Sequence, residues 1–151
     1  MAIIDQVKEL REATGISISE CKKALEAAGG NSEKARALLK EWGKEVAEKK
    51  QIREVGEGAV EAYLHSTGKL GVLVDVRCET DFVARSPEFK ALCHELALQI
   101  ASMNPQNTQE LLAQPYVKDP SRQVQDVLNE YIARLGENIV VKQFSRLEIL
   151  Q

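Results

Sequence analysis

"AVEAYLHSTGKLGVLVDVRCE", residues 59–79, is where the period of the chain changes. Upstream, apolar residues recur three or four positions apart, as one face of a helix requires. Here they recur every second position, as a strand requires. Val60, Ala62 and Leu64 alternate with Glu61, Tyr63 and His65. Val72, Val74, Val76 and Cys78 then alternate with Leu73, Asp75, Arg77 and Glu79. The intervening "STGK" is a turn signal, with Gly68 free to take a positive φ. The stretch predicts an antiparallel hairpin, so a sheet follows helices in this chain.

Working back from the hairpin, residues 43–57 are dense in charge and bounded by Gly43 and Gly56, which predicts an exposed connector, partly helical. Residues 1–42 predict three short helices. Ile4, Val7 and Leu10 mark the apolar face of the first, which Thr14-Gly15 ends. Ser17 with Glu20 three residues later has the form of a capping box opening the second, which stops at Gly29-Gly30. Asn31 or Ser32 can cap the third, whose face is Ala35, Leu38, Leu39 and Trp42. Three helices of this size form a minimal bundle, marginal alone.

Working forward, Ser86-Pro87 opens a helix with Ser at the cap and Pro at its first position. Phe89, Leu92, Cys93, Leu96, Ile100 and Met103 fall on one stripe, and Asn104-Pro105 ends it. A short helix is expected around residues 110–113. Asp119-Pro120 is expected to cap a long helix through Val124, Val127, Leu128, Tyr131, Ile132 and Leu135, with Gly136 ending it. "NIVVKQFSRLEIL" predicts a third strand. Residues 58–151 thus read as an α+β domain, with three antiparallel strands packed on one face by helices. Tyr63, Leu73, Val140 and Phe144 are candidates for the other face. An apolar face that nothing in the chain covers suggests a partner or a second copy.

The bulk numbers agree with a soluble globular chain. Of 151 residues, 44% are apolar and 28% charged, with a net charge of −3. That balance argues against a protein built to grip a nucleic-acid backbone, and no basic recognition helix accompanies the glycine turns. No apolar run is long enough to span a membrane, and the N-terminus lacks the features of a signal peptide. Three widely spaced cysteines predict free thiols in a reducing cytosol. Neither a phosphate-binding loop motif nor metal-ligand spacing occurs, so no cofactor or metal is expected. A catalytic set of Cys78, His94 and Asp81 is set aside, because no third group orients the histidine.

"TDFVAR", residues 80–85, sits between the hairpin and the helix at Ser86. Thr80 and Asp81 suit a tight turn, since their side chains bond nearby backbone N–H groups. Phe82 is odd in a connection. It can fold back and plug the end of the core, or be presented outward as an anchor for a partner's pocket.

These residues resemble a known family. "TDFVAR", together with "LREATG" at 10–15, "CKKALEAAGG" at 21–30 and "LGENIVV" at 135–141, is similar in content and order to elongation factor Ts. The resemblance implies a ubiquitin-associated-like bundle in residues 1–42 and a core, or dimerisation, domain in 58–151. It implies a non-enzymatic, cytoplasmic guanine-nucleotide exchange factor that binds the GTPase elongation factor Tu in GDP-bound and nucleotide-free forms. In that family an aspartate and phenylalanine, here Asp81 and Phe82, enter the GTPase domain. The ring wedges between two helices, the Mg²⁺ site is disturbed and GDP leaves. Thr80 and Val83 match flanking positions, and Arg11, Ile18 and Ser19 match an N-terminal contact surface. The family often has two apolar residues where Ile18-Ser19 stands. Many relatives also carry two core subdomains, and several carry a helical hairpin insertion; here one core is present, and residues 104–120 leave no room for a long hairpin. The uncovered sheet face then reads as a homodimer surface. The rival class is a ubiquitin-associated-like adaptor with a dimerising core and no exchange activity, for which the "TDFVAR" turn is not required.

Overall fold

The computed structural model describes residues 2–150. Three helices come first: α1 (Ile3–Thr14), α2 (Ile18–Ala27) and α3 (Ser32–Lys50). Their boundaries follow from caps. Gly15 closes α1 at φ 70°, and its N–H reaches the carbonyl of Arg11. The Ser17 hydroxyl accepts from the Glu20 amide, and the Asn31 side chain accepts from the Lys34 amide. Val7, Leu10, Cys21, Ala24, Leu25, Ala35 and Leu39 make a small core of their own. Ile4 is not part of it. It stands 66% exposed beside Ile3, at the edge of the inward face, about 60° round the helix from Val7 and about 120° from Leu10.

The third helix passes through Gly43 and ends only at Lys50. Residues 43–50 of the charged stretch are therefore helical, and Gly43 and Ala47 are buried. At Gly43 α3 packs on α7 (Val124–Leu135), where an added Cβ would lie in ordinary contact, 3.9 Å from Ala133 Cβ and from the Asn129 carbonyl oxygen.

The hairpin forms as the alternation predicts. Strands β1 (Glu57–Leu64) and β2 (Leu70–Cys78) pair antiparallel, and β5 (Val140–Glu148) pairs antiparallel on the other side of β2. The molecule is α+β: a helical bundle, then a three-stranded antiparallel sheet with helices against one face. Val72, Val74, Val76 and Cys78 face α5 (Pro87–Met103) and are buried. Register fixes the two faces. Tyr63 pairs with Val72 and Phe144 with Val74, so both lie on the covered side and pack on the core. The open face instead carries Val60, Leu64, Leu73 and Leu147, which are 66%, 72%, 52% and 77% exposed. The placement of Tyr63 and Phe144 on the uncovered face is corrected accordingly. Aromatic rings at these positions are used to widen the core on the two edge strands. Amid the open face, Asp75 is buried by its neighbours and accepts from Arg77 Nε at 2.6 Å.

Glycine is required at Gly58. Its φ is 151°, and a Cβ there would lie 2.1 Å from the Val76 carbonyl oxygen. The two hairpin strands come too close at this point for any side chain.

Beyond α5 come α6 (Thr108–Ala113) and a two-stranded ribbon of β3 (Pro115–Tyr116) and β4 (Asp119–Gln123). Asp119-Pro120 does not cap a helix. Its carboxylate accepts from the Ser121 amide and hydroxyl within β4, and α7 begins only at Val124. There the Gln123 amide is capped by the Asp126 carboxylate. Buried Tyr116 and the amide of Val117, which donates to buried Gln99, hold the ribbon onto α5.

Candidate functional site

Strand β2 ends at Cys78, and the chain turns at once into α4 (Asp81–Ala84), a single helical turn. Thr80 is its N-cap: the backbone is extended (φ −125°, ψ 152°) and Oγ1 accepts from the Val83 amide at 3.2 Å. Asp81 lies in the first turn, where an acidic group suits the helix dipole, and its carboxylate sits 3.0 Å from Arg85 Nη2. Ser86 closes the turn and opens the next helix, donating to the Val83 carbonyl at 2.8 Å and accepting from the Phe89 amide.

The helical turn sorts the side chains. Val83 and Ala84 are buried, each 6% exposed, against Phe89 and the end of the sheet. With those two positions inward, Phe82 must point out, and it is 82% exposed. Of the two roles open to Phe82 from sequence, the plug of the core belongs to Val83 instead. Val83 supports the turn from beneath; Thr80, Asp81 and Phe82 form its outer surface.

A second segment braces this turn from a distance. The Glu137 carboxylate accepts from the Glu79 amide at 3.1 Å, the Thr80 amide at 3.0 Å and the Thr80 hydroxyl at 2.7 Å. In return, the Glu79 carboxylate accepts from the Asn138 amide at 2.6 Å. Arg53, just past α3, stands 3.6 Å from Glu79 and offsets the two neighbouring acids. Buried Asn138 also donates to the Arg53 carbonyl at 2.8 Å. Sequence reading assigned "LGENIVV" to a strand and missed this brace; the only available signal was an acid and an amide directly after a helix-ending glycine.

The N-terminal candidates lie on one side of the bundle. Arg11, Ile18 and Ser19 are exposed, Ile18 at 56%. Ile18 lines an apolar cleft with Ile3, Ile4 and Val7, edged by Arg11 and Lys22. Ile3 and Ile4 enlarge this patch. The bundle and the Phe82 turn are not far apart, for Gly15, Arg134 and Phe82 line one groove. Arg134 Nη2 donates to the Thr14 carbonyl at 2.6 Å across it.

Titratable groups fit a structural role for the thiols. Burial, with Glu137 nearby, pushes the Cys78 thiol up to about 11, and burial pushes Cys93 up to about 12. His94 stands 3.7 Å from Glu61 across the sheet edge. Among the described residues no cluster of His, Cys, Asp and Glu could hold a metal ion, and no helix is long and apolar enough to cross a membrane.

Fold and site together define an α+β protein that holds one exposed aromatic ring on a braced helical turn at the end of its central strand. Residues 79–151, which carry the turn and its brace, match the family model for elongation factor Ts. The chain is 43% identical to elongation factor Ts of Coprothermobacter proteolyticus, across 93% of this chain and 94% of that protein. It is 38% identical to that of Rubrobacter xylanophilus, across 97% and 98%, and 42% identical to that of a Thermoanaerobacter species, across 94% and 92%. The chain belongs to the elongation factor Ts family of translation elongation factors. These alignments run over 185 to 191 positions, more than the 151 residues here, so the relatives carry internal residues that this chain lacks.

Proposed function

We propose that this protein is a guanine-nucleotide exchange factor for elongation factor Tu, acting by insertion of the Asp81-Phe82 turn into the GTPase domain. The observation that carries the reading is the 82% exposure of Phe82 on a turn whose neighbours are buried and capped. An exposed ring held in one place is of little use to the free fold and suits an anchor for a partner. Exchange of this kind needs no acid, base or nucleophile. The factor must bind the nucleotide-free GTPase more tightly than the GDP-bound form, and that difference is the coupling free energy. A ring that fits only a displaced pair of helices supplies it. Val83 serves by holding the turn up, and Thr80 by capping it.

Arg11, Ile18 and Ser19, with Ile3 and Ile4 beside them, form the second contact, from residues 1–42. The open sheet face pairs two copies of the core, residues 58–151, and the protein works in the cytoplasm. The test is release of a fluorescent GDP analogue from elongation factor Tu, with and without the protein. Acceleration by the wild type and loss of it in Phe82→Ala supports the reading; a normal release rate with Phe82→Ala overturns it.

A further inference from the structure

We infer that Glu137 is the positioning residue of the Phe82 turn, an inference that rests on the exchange reading above. One carboxylate takes three hydrogen bonds from a segment 57 and 58 residues earlier in the chain, and both its oxygens are used. Oε1 collects the amides of Glu79 and Thr80, which lie beyond the last β1–β2 pair at Cys78. Oε2 accepts a hydrogen bond from the Thr80 hydroxyl. A hydroxyl has one proton, so this bond leaves only lone pairs facing the Val83 amide. The helix cap is thereby fixed from outside the helix: Glu137 orients Thr80, and Thr80 orients Val83.

The turn needs that help. A helix of four residues does not hold itself, since nucleation is unfavourable and there is no length over which to propagate. The bond network is also not needed to set the sheet, because β2 and β5 already pair from Arg77–Val140 onward. What Glu137 determines is the part of the chain that the ladder does not reach. With it, the turn is presented in one conformation and Phe82 is aimed before any partner arrives. Without it, the competent conformer is a fraction of the ensemble, and apparent affinity drops by that fraction. Glu137 acts through Thr80 and touches no nucleotide.

The prediction separates KM from kcat. In Glu137→Ala, if the aimed conformer falls to about a tenth, KM for elongation factor Tu·GDP rises about tenfold while kcat for GDP release holds. Glu137→Gln, which keeps the shape and one carbonyl oxygen, gives a smaller rise and guards against a folding failure. In the free protein, hydrogen exchange at the amides of Thr80 and Val83 should quicken in both variants, while amides of β2 keep their protection. On a Phe82→Ala background, Glu137→Ala should add no further loss. Unchanged protection at Thr80 and Val83, or a full additional loss on the Phe82→Ala background, overturns the assignment. If Phe82→Ala impairs release and both Glu137 variants behave as wild type, the assignment of Glu137 alone fails. If Phe82→Ala itself releases GDP normally, the exchange reading fails.

Discussion

Phe82 and Val83 are adjacent and nearly equal in apolar character, yet they belong to different chemistries. Phe82 is 82% exposed and Val83 6%. Phe82→Ala should change stability by less than about 1 kcal/mol while slowing GDP release about thirtyfold, the factor for an anchor worth about 2 kcal/mol. Val83→Ala should do the reverse first, lowering stability by about 2 kcal/mol through lost burial. Melting and release measured on the same two samples check the pair. The cysteines make a second prediction at this scale. With Cys78 raised to about 11 and Cys93 to about 12 by burial, the protonated thiol persists at pH 8, and Cys21 is raised in the same direction. Native protein should therefore react slowly with Ellman's reagent, faster as pH climbs toward those values, and unfolded protein should release three equivalents at once. Sequence made the turn visible because Thr80 and Ser86 are strong caps. It could not choose between Phe82 and Val83 as the inward residue, since that choice depends on which side of a one-turn helix faces the sheet.

At the scale of elements, short-range signals were reliable and long-range ones were not. The caps at Ser17, Asn31 and Ser86 and the alternation of β2 all acted as local chemistry dictates. The inward placement of Tyr63 and Phe144 and the ribbon at residues 115–123 were set by neighbours distant in sequence. Glu137 reaching back to Thr80 is the same kind of feature. Gly58 offers a direct test of the close hairpin: Gly58→Ala should destabilise the fold by about 3 kcal/mol, read as a lower urea midpoint, because both its φ and its contact with Val76 forbid a Cβ. On α2, Ile18→Asp places a charge in the exposed apolar cleft with Ile3 and Ile4. Melting should stay within about 0.5 kcal/mol of wild type, as for an exposed site, while the affinity for elongation factor Tu falls. Exchange unaltered at limiting concentrations of Ile18→Asp would remove this patch from the contact.

For the whole molecule, the sheet has one covered and one open face, and the open one carries Val60, Leu64, Leu73 and Leu147. A second copy stacking there predicts twice the mass of one chain by light scattering at tens of micromolar, unchanged by reductant because all three cysteines are free and buried. Leu73→Glu should halve that mass without unfolding the core, and a monomeric wild type would refute the pairing. The long α3 adds something the separate sites do not. It enters as part of the bundle, passes through Gly43 and ends against the core, while Arg134 holds the α1–α2 turn from the far side of the groove. In the proposed complex the isoleucine patch and the phenylalanine turn are thus the two jaws of a caliper whose gap is held by the packing of α3 on α7 and by the Arg134–Thr14 bond. A partner that meets one jaw meets the other at high effective concentration, provided its own two surfaces match the gap. On that proposal a surface with the right chemistry at the wrong spacing would gain only one contact, and the distance itself would select the partner.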